Sequence, residues 1–318
     1  MKAVFLDYAS LDQNDLDFSE LHAVFENLTL YPASTEEQVL ERIQDVDVVI
    51  TNKVRISAEV IQQLPQLKLI LISATGTNNV DLVQAKKSGI VVCNCQAYGT
   101  SAVAQHTLML MLALSTSVIQ YHQAVQKGEW QKAQQFCLLD FPIVELTGKT
   151  LGIIGYGELG QAVAQLAKAF GMQIMVGALP NRPQREGRVQ LDVLLSQADY
   201  VSLHCPLTDE TKDLIDAKAF DRMKSSAFLI NCARGGIVNE QALADALIHK
   251  KIAGAATDVL TVEPPKQGNV LLNIDIPNLI ITPHSAWGSV DARQRIVQQL
   301  MENVKAFQNG QPIRQVNL

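Results

Sequence analysis

The chain has 318 residues, of which 47% are hydrophobic and 18% charged, with a net charge of −6. That length exceeds a typical single domain of ~100–200 residues, so two domains with sizeable cores are expected. The acidic balance, with no basic run longer than Lys86-Lys87 or Lys250-Lys251, argues against nucleic acid or an anionic membrane as the main partner.

The opening MKAVFLDYAS enters a strand-like run at once and carries Asp7 early, so it does not read as a signal peptide. Over residues 1–99, KAVFLD (2–7), VDVVIT (46–51), LKLILIS (67–73) and GIVVCNC (89–95) are predicted strands. Helical patterns lie between them, from Ser34 to Arg42, Ser57 to Leu64 and Val80 to Lys87. Ser34, Ser57 and Asn79 sit where N-caps would, and Gly89 closes the third segment. Alternation of this kind means a parallel sheet covered by helices.

Residues 100–127 read as one long helix leading out of this first unit. Its stretch 102–119 carries no formal charge over 18 residues and so imitates a membrane span. Gln105, His106 and the Thr/Ser cluster lower its hydrophobicity. A helix buried on most faces, in the core or at a subunit interface, is the expectation. A polar stretch from Lys127 to Pro142, carrying Trp130 and Phe136, follows.

Residues 150–171, TLGIIGYGELGQAVAQLAKAFG, organise what comes next. Leu151, Ile153 and Ile154 suit a central parallel strand. Gly155, Gly157 and Gly160 then form G-x-G-x-x-G, where the first glycine permits a tight turn, the second lets a pyrophosphate approach the backbone, and the third lets helix pack on strand. Leu159, Val163, Leu166 and Phe170 continue at helical spacing until Gly171, and the helix N-terminus would meet the phosphates. Predicted strands resume at 173–177, 199–205, 226–232, 252–259 and 278–284, the ladder of a second doubly wound sheet. A final amphipathic helix, 291–308, shows Ile296, Leu300, Val304 and Phe307 on one face and is expected to return to the first domain. The expected division is 1–99 with 288–318, and 100–287. Cys93, Cys95, Cys137, Cys205 and Cys232 are an odd set without C-x-x-C, and Cys93 and Cys95, bracketing Asn94 at the end of an apolar run, suit small core residues rather than metal ligands, so a reduced, cytoplasmic protein is expected. No pair of histidines has metal-ligand spacing, so no metal is expected.

Three ionisable residues follow predicted strands of the second sheet: Arg234 after LINCA, Glu263 after ATDVLTV and His284 after LIITP. All three would project from the edge that carries the glycine loop, toward a cleft shared with the first domain. Reduction of a 2-oxo acid needs a planar cation to hold the carboxylate and polarise the carbonyl. It needs a proton donor that works near neutrality, and a carboxylate beside that donor to orient it. Arg234, His284 and Glu263 supply these parts. Taken singly, each also suits a strand-end cap, a structural histidine or a solvated acid; their convergence on one edge favours chemistry. His204 reads as a packed strand-end residue, His106 as a satisfied core residue, and His22, His122 and His249 as solvated.

Together these segments resemble the D-isomer-specific 2-hydroxyacid dehydrogenase family. The resemblance is carried by ATGTNNVDL (74–82), AYGTSAVAQHTL (97–108), LGIIGYGELG (151–160), HCPLTDETKDLI (204–215), LINCARGGIVNEQAL (229–243), GAATDVLTVEPP (254–265) and ITPHSAWGS (281–289). It implies an α/β fold of two doubly wound parallel-sheet domains, a Rossmann cofactor domain inserted into a flavodoxin-like substrate domain. It also implies a catalytic set of Arg234, Glu263 and His284, with the backbone of Thr75, Gly76 and Thr77 on the substrate carboxylate. Cofactor contacts are implied at Gly155, Gly157, Glu158, Leu159 and Gly160, at Cys205, Pro206, Cys232, Ala233 and Arg234, and at Asp258, His284 and Ala286. Homodimerisation through the cofactor domain and its long helix is implied as well. Glu263 counts against formate dehydrogenase, which has glutamine there, and the end at Leu318 leaves no room for the regulatory domain of many phosphoglycerate dehydrogenases. Lys53, read as a substrate contact, and the AWGS after His284 look like the glycerate dehydrogenase (hydroxypyruvate reductase) branch.

The pattern departs in one place. Eighteen residues after Gly160, where NAD enzymes place an aspartate for the ribose hydroxyls, the chain has Ala178, followed by Asn181, Arg182 and Arg185. Without that carboxylate a 2′-phosphate is less strongly rejected, and Arg182 could pair with one. NAD, held by backbone and Asn181, is the expected cofactor, with NADP possible. The expected activity is hydride transfer between NAD(P)H and a small 2-oxo or D-2-hydroxy acid such as hydroxypyruvate/D-glycerate. The alternative is a non-catalytic dinucleotide-sensing protein of the corepressor type.

Overall fold

A computed structural model describes residues 1–181, 185–273 and 276–318. The chain separates into two compact units, Met1–Gly99 with Gly288–Leu318, and Thr100–Trp287. The first contains β1 (Lys2–Phe5), α1 (Ser19–Ala23), β2 (Asn27–Leu30), α2 (Glu36–Ile43), β3 (Val48–Thr51), α3 (Ala58–Ile61), β4 (Leu69–Ile72), α4 (Leu82–Lys87) and β5 (Val91–Cys93). Its five strands run parallel in the order β2-β1-β3-β4-β5. The apolar runs of β3 and β4 are buried at every residue, as strands covered on both faces must be.

The second unit contains α5 (Thr100–Thr116), α6 (Val118–Gln126), α7 (Glu129–Lys132), β6 (Thr150–Ile154), α8 (Glu158–Ala169), β7 (Gln173–Gly177), β8 (Arg188–Val189) and α9 (Leu191–Gln197). It continues through β9 (Tyr200–Leu203), α10 (Ala217–Arg222), β10 (Phe228–Asn231), α11 (Glu240–Ile248), β11 (Gly254–Thr257) and β12 (Leu279–Ile281). The seven strands run parallel in the order β12-β11-β10-β9-β6-β7-β8, which reverses direction between β6 and β9. In such sheets ligands bind beyond the carboxyl ends of the strands at the reversal. Alternate residues of β6 feed opposite cores: Leu151 and Ile153 pack with α5 and α8, and Ile154 with the layer of α9 to α11. The chain then returns to the first unit in α12 (Val290–Gln308), whose Arg293 makes two 2.7 Å bonds to the Asp15 carboxylate.

Several local expectations are corrected. The segment 100–127 is two helices bent by 60° at Ser117, not one. Ser117 takes a left-handed φ of 50° and its hydroxyl donates to the Pro142 carbonyl. Ser115 and Thr116 bond back to the carbonyls of Met111 and Leu112, a habit that bends helices. Among the described residues no single helix is long and apolar enough to cross a membrane, though the bent α5–α6 pair passes that test jointly. The α2 cap is Thr35, not Ser34, with Gln38 reaching back to its N–H at 3.0 Å. The α4 cap is Asp81, not Asn79; the Asn79 amide bonds the carbonyls of Asn52 and Val54 instead. Edge strands β2 and β8 were not expected from the sequence.

Candidate active site

The loop after β6 satisfies the steric demands of a dinucleotide turn one glycine at a time. Gly155 has φ 96°, and a Cβ there would lie 2.4 Å from the Cys205 nitrogen on the loop after β9. A Cβ on Gly160 would lie 2.2 Å from the Gly155 carbonyl oxygen, so only glycine lets α8 start so close to the strand. Gly157 differs: it caps α8 in an extended conformation, and a Cβ there meets nothing within 4 Å. Its bareness leaves open space at a helix N-terminus, the kind of place where a pyrophosphate approaches the backbone in dinucleotide folds. Gly157→Ala is therefore expected to leave Tm within about two degrees and to weaken NADH binding about tenfold or more. Calorimetric melting beside fluorescence titration checks this; an unchanged Kd would remove this open space from the cofactor site. Glu158, exposed in the first turn of α8, accepts a 2.6 Å bond from the Thr100 hydroxyl, and Leu159 packs inward.

Arg234, Glu263 and His284 follow β10, β11 and β12, three neighbouring strands, and so occupy the same edge as the glycine loop. His284 Nδ1 stands 2.6 Å from Glu263 Oε2, with about one third of each side chain exposed, 33% and 32%. An ionised carboxylate only accepts, so Nδ1 carries the hydrogen of this bond and Nε2 is the nitrogen that can exchange a proton with a substrate. The other Glu263 oxygen accepts the Leu260 N–H at 2.8 Å, and Glu240 accepts the Thr261 N–H at 2.7 Å, so the acid sits on an anchored loop. Gly235 lets that loop approach: a Cβ there would lie 1.9 Å from the Leu260 carbonyl oxygen. The exposed Arg234 donates to its neighbour's carbonyl, Ala233, at 2.8 Å, and among the described residues no carboxylate pairs with it. Glu263 and His284 are thus in contact, whereas Arg234 stands on the adjacent strand end.

The remaining expected cofactor residues surround the same edge. Cys205, Cys232, Ala233, Asp258 and Ala286 are buried, and Pro206 is exposed. Burial pushes the Cys205 thiol up to about 11 and the Cys232 thiol up to about 12, so both stay protonated and inert. The Cys232 thiol bonds Thr107 on α5, which ties this strand end to the helix. Asp258 accepts the N–H groups of Ser285 and Ala286 at 2.9 Å each, fixing the peptides that follow His284. At the far end of the site, Ala178 follows β7, with Asn181 exposed at φ 53°. Arg182 lies outside the described residues. Among the described residues no group of three or more His, Cys, Asp or Glu could hold a metal ion.

His204 follows β9 beside Gly155. Its Nε2 meets the Ser202 hydroxyl at 2.8 Å, and its buried Nδ1 has no partner among the described residues. Burial drives its pKa down to about 4 from 6.5. Between those values the unfolded chain binds a proton that the folded chain refuses. The His204 contribution is therefore full above pH 6.5 and is lost as pH falls toward 4, by roughly 3 kcal/mol at most. Urea unfolding of His204→Gln should show a shallower loss of stability across that window than the parent chain; equal slopes would exclude this source.

In the first unit, Lys53 follows β3 and Thr75, Gly76 and Thr77 follow β4. Lys53 is exposed at the reversal of the sheet, between β1 and β3. The buried Asp7 carboxylate accepts the N–H groups of Asn52 and Lys53 at 2.8 and 2.7 Å and so anchors this loop. Burial raises its pKa, partly offset by those backbone bonds. Asn94 holds the Thr75 carbonyl at 2.8 Å. Neither Asp7 nor Asn94 was singled out as a site-forming residue from sequence, because both act through backbone contacts that spacing does not reveal.

Comparison with known proteins identifies the family. The profile describing the NAD binding domain of D-isomer specific 2-hydroxyacid dehydrogenases matches residues 108–286. The glycerate dehydrogenase of Methylorubrum extorquens is 45% identical over 98% of this chain and 97% of its own length. The hydroxypyruvate reductase of Blautia hydrogenotrophica is 38% identical over the whole of both chains, 100% of each. A solved acyclic imino acid reductase, in complex with NADPH and D-Arg, superposes with a TM-score of 0.83 at 28% identity, covering 99% of this chain and 100% of its own. Two parallel-sheet α/β units, a nicotinamide-dinucleotide loop and full-length relatives at this identity lead to one conclusion: the chain belongs to the D-isomer-specific 2-hydroxyacid dehydrogenase family.

Proposed function

We propose that this dehydrogenase reduces hydroxypyruvate to D-glycerate, using NADH by preference and accepting NADPH. The observation that carries the reading is the 2.6 Å His284–Glu263 pair on the strand ends beside the glycine loop. The dinucleotide, when bound, supplies the hydride that reduces the 2-oxo carbon. Arg234 binds the substrate carboxylate and polarises the carbonyl. His284 Nε2 gives its proton to the carbonyl oxygen and takes it back in the oxidative direction, while Glu263 holds the ring and stabilises its charged form. The backbone of Thr75, Gly76 and Thr77 and the Lys53 side chain are the proposed further carboxylate contacts. Gly155, Gly157, Glu158, Leu159 and Gly160 form the phosphate cradle, and Cys205, Pro206, Cys232, Ala233, Asp258 and Ala286 line the remaining path of the dinucleotide. Asn181 takes the adenosine ribose, and Arg182 pairs with the 2′-phosphate when NADPH is the cofactor.

Ala178 supports tolerance of NADPH, since no carboxylate stands at that position to repel a 2′-phosphate. Exposed Met109, Val118, Ile119, Val125, Trp130 and Phe136 on and after α5 and α6 support a homodimer formed through the cofactor unit. Five free cysteines and the net charge of −6 support a reducing cytoplasmic setting without nucleic-acid or membrane partners. Steady-state kinetics on a panel of 2-oxo acids, each with NADH and NADPH, tests the assignment. The expected result is the highest kcat/KM with hydroxypyruvate and NADH. No turnover of hydroxypyruvate with either nucleotide would overturn it.

A further inference from the structure

His284 holds a left-handed backbone at φ 53°, a state an L-residue keeps only when its surroundings over-determine it. Its N–H donates to the carbonyls of Asp258 at 2.8 Å and Thr282 at 3.0 Å. The next two N–H groups, of Ser285 and Ala286, donate to the Asp258 carboxylate. That carboxylate is 2% exposed, and its Oδ1 also accepts the Thr282 hydroxyl at 2.5 Å. A hydroxyl has one hydrogen and an ionised carboxylate has none to give, so the Thr282 hydrogen is committed to Asp258. His106 Nε2, on α5, lies 3.0 Å from the same Thr282 oxygen and 3.6 Å from Asp258 Oδ1. With the hydroxyl hydrogen already spent, the shorter contact requires a hydrogen on His106 Nε2, donated to Thr282. Donation therefore runs in one direction, from His106 to Thr282 to Asp258, and Asp258 grips the two peptides after His284.

We propose that His106 and Thr282 are positioning residues for the reaction: their directed relay orients the Asp258 carboxylate, which in turn locks the backbone and aim of His284. This rests on the reading of His284 as the acid–base residue. The relay reaches the reacting end of the sheet from a helix 176 residues earlier in the chain, so α5 helps to aim the proton donor. Without the His106 N–H, the Thr282 hydroxyl loses the one donor to its oxygen among the described residues, and its own bond to Asp258 loses the polarisation and orientation that donor supplies. The carboxylate then holds the His284 loop less firmly. A displacement of about 1 Å at a reacting group can lower the rate by roughly 100-fold.

The test compares His106→Leu with His106→Gln, and Thr282→Val with Thr282→Ser, in the full-length enzyme. Leucine and valine are expected to lower kcat for hydroxypyruvate by about 10- to 100-fold, with NADH Kd within about threefold of the parent value. Glutamine, which offers an amide N–H at comparable reach, and serine, which restores the hydroxyl, are expected to recover most of kcat. Full activity in His106→Leu, or a glutamine variant as impaired as the leucine one, overturns the relay. If His106→Leu does not fold, the Thr282 pair decides by the same comparison. His284→Asn separates this inference from its premise: an inactive His284→Asn with a fully active His106→Leu removes the relay alone, whereas activity in both removes the acid–base reading itself.

Discussion

Replacing His284 by asparagine is expected to lower kcat for hydroxypyruvate reduction by roughly 10²- to 10⁴-fold, the range that a positioned acid–base group contributes. Asparagine is chosen for the backbone. The residue at this position must hold φ 53°, and asparagine enters the left-handed region more readily than most side chains. The Asp258 clamp on Ser285 and Ala286 involves only backbone donors of the neighbouring residues, so it survives the change. What disappears is the ring nitrogen that hands the proton to the substrate in the proposed reaction. Binding of NADH should therefore persist while turnover collapses, and the deficit should appear in kcat more than in KM. Fluorescence titration and steady-state rates on one preparation make the comparison. Turnover within a few-fold of the parent enzyme would show that another group, or water, supplies the proton.

Where the sequence was informative, each residue had a local reason. The glycine loop was legible because two of its glycines answer a steric demand and the third leaves open space, and all three lie within six residues of one strand end. Arg234, Glu263 and His284 were legible because each stands a few residues beyond an apolar run, and a parallel ladder delivers such loops to one edge. The relay behind them was not. His106 shares no pattern with Thr282, and only the packing of α5 against the second sheet joins them. The same holds for the break at Ser117, where a bond to the Pro142 carbonyl stabilises a turn that an uninterrupted apolar helix pattern conceals. The edge strand β2, with the sequence NLTL, alternates exposed and half-buried residues and pairs on one side only. Four residues with so little burial do not stand out from a loop. The caps failed by one or two residues for a related reason: Ser34 and Asn79 are good caps by type, but the Ser34 hydroxyl donates to the Leu6 carbonyl and Asn79 is engaged by the β3 loop. Local chemistry nominates candidates, and long-range contacts choose among them.

Arg234→Ala is expected to reduce kcat/KM by about 10²- to 10³-fold, equivalent to roughly 3–4 kcal/mol of lost transition-state binding. The guanidinium is exposed, bonded to the Ala233 carbonyl, and without a carboxylate partner among the described residues. A structural arginine at a strand end would ordinarily have an acid to pair with. In the proposed function its partner is the carboxylate of the 2-oxo acid. Two charge-assisted bonds to a carboxylate, each contributing about 1.5–3 kcal/mol, are enough to account for the expected loss. Because the Arg234 side chain bonds only the Ala233 carbonyl among the described residues, Tm should hardly change, which separates this variant from one that acts through folding. Arg234→Lys supplies the discriminating comparison. Lysine keeps the charge but loses the planar fork, so it should recover part of the carboxylate attraction and little of the geometric control over the carbonyl. The expected order of kcat/KM is arginine, then lysine, then alanine, and added guanidinium ion should partly restore the alanine variant by refilling the site. A lysine variant equal to the parent enzyme would reduce Arg234 to a point charge. An alanine variant equal to it would move the carboxylate anchor away from β10 altogether.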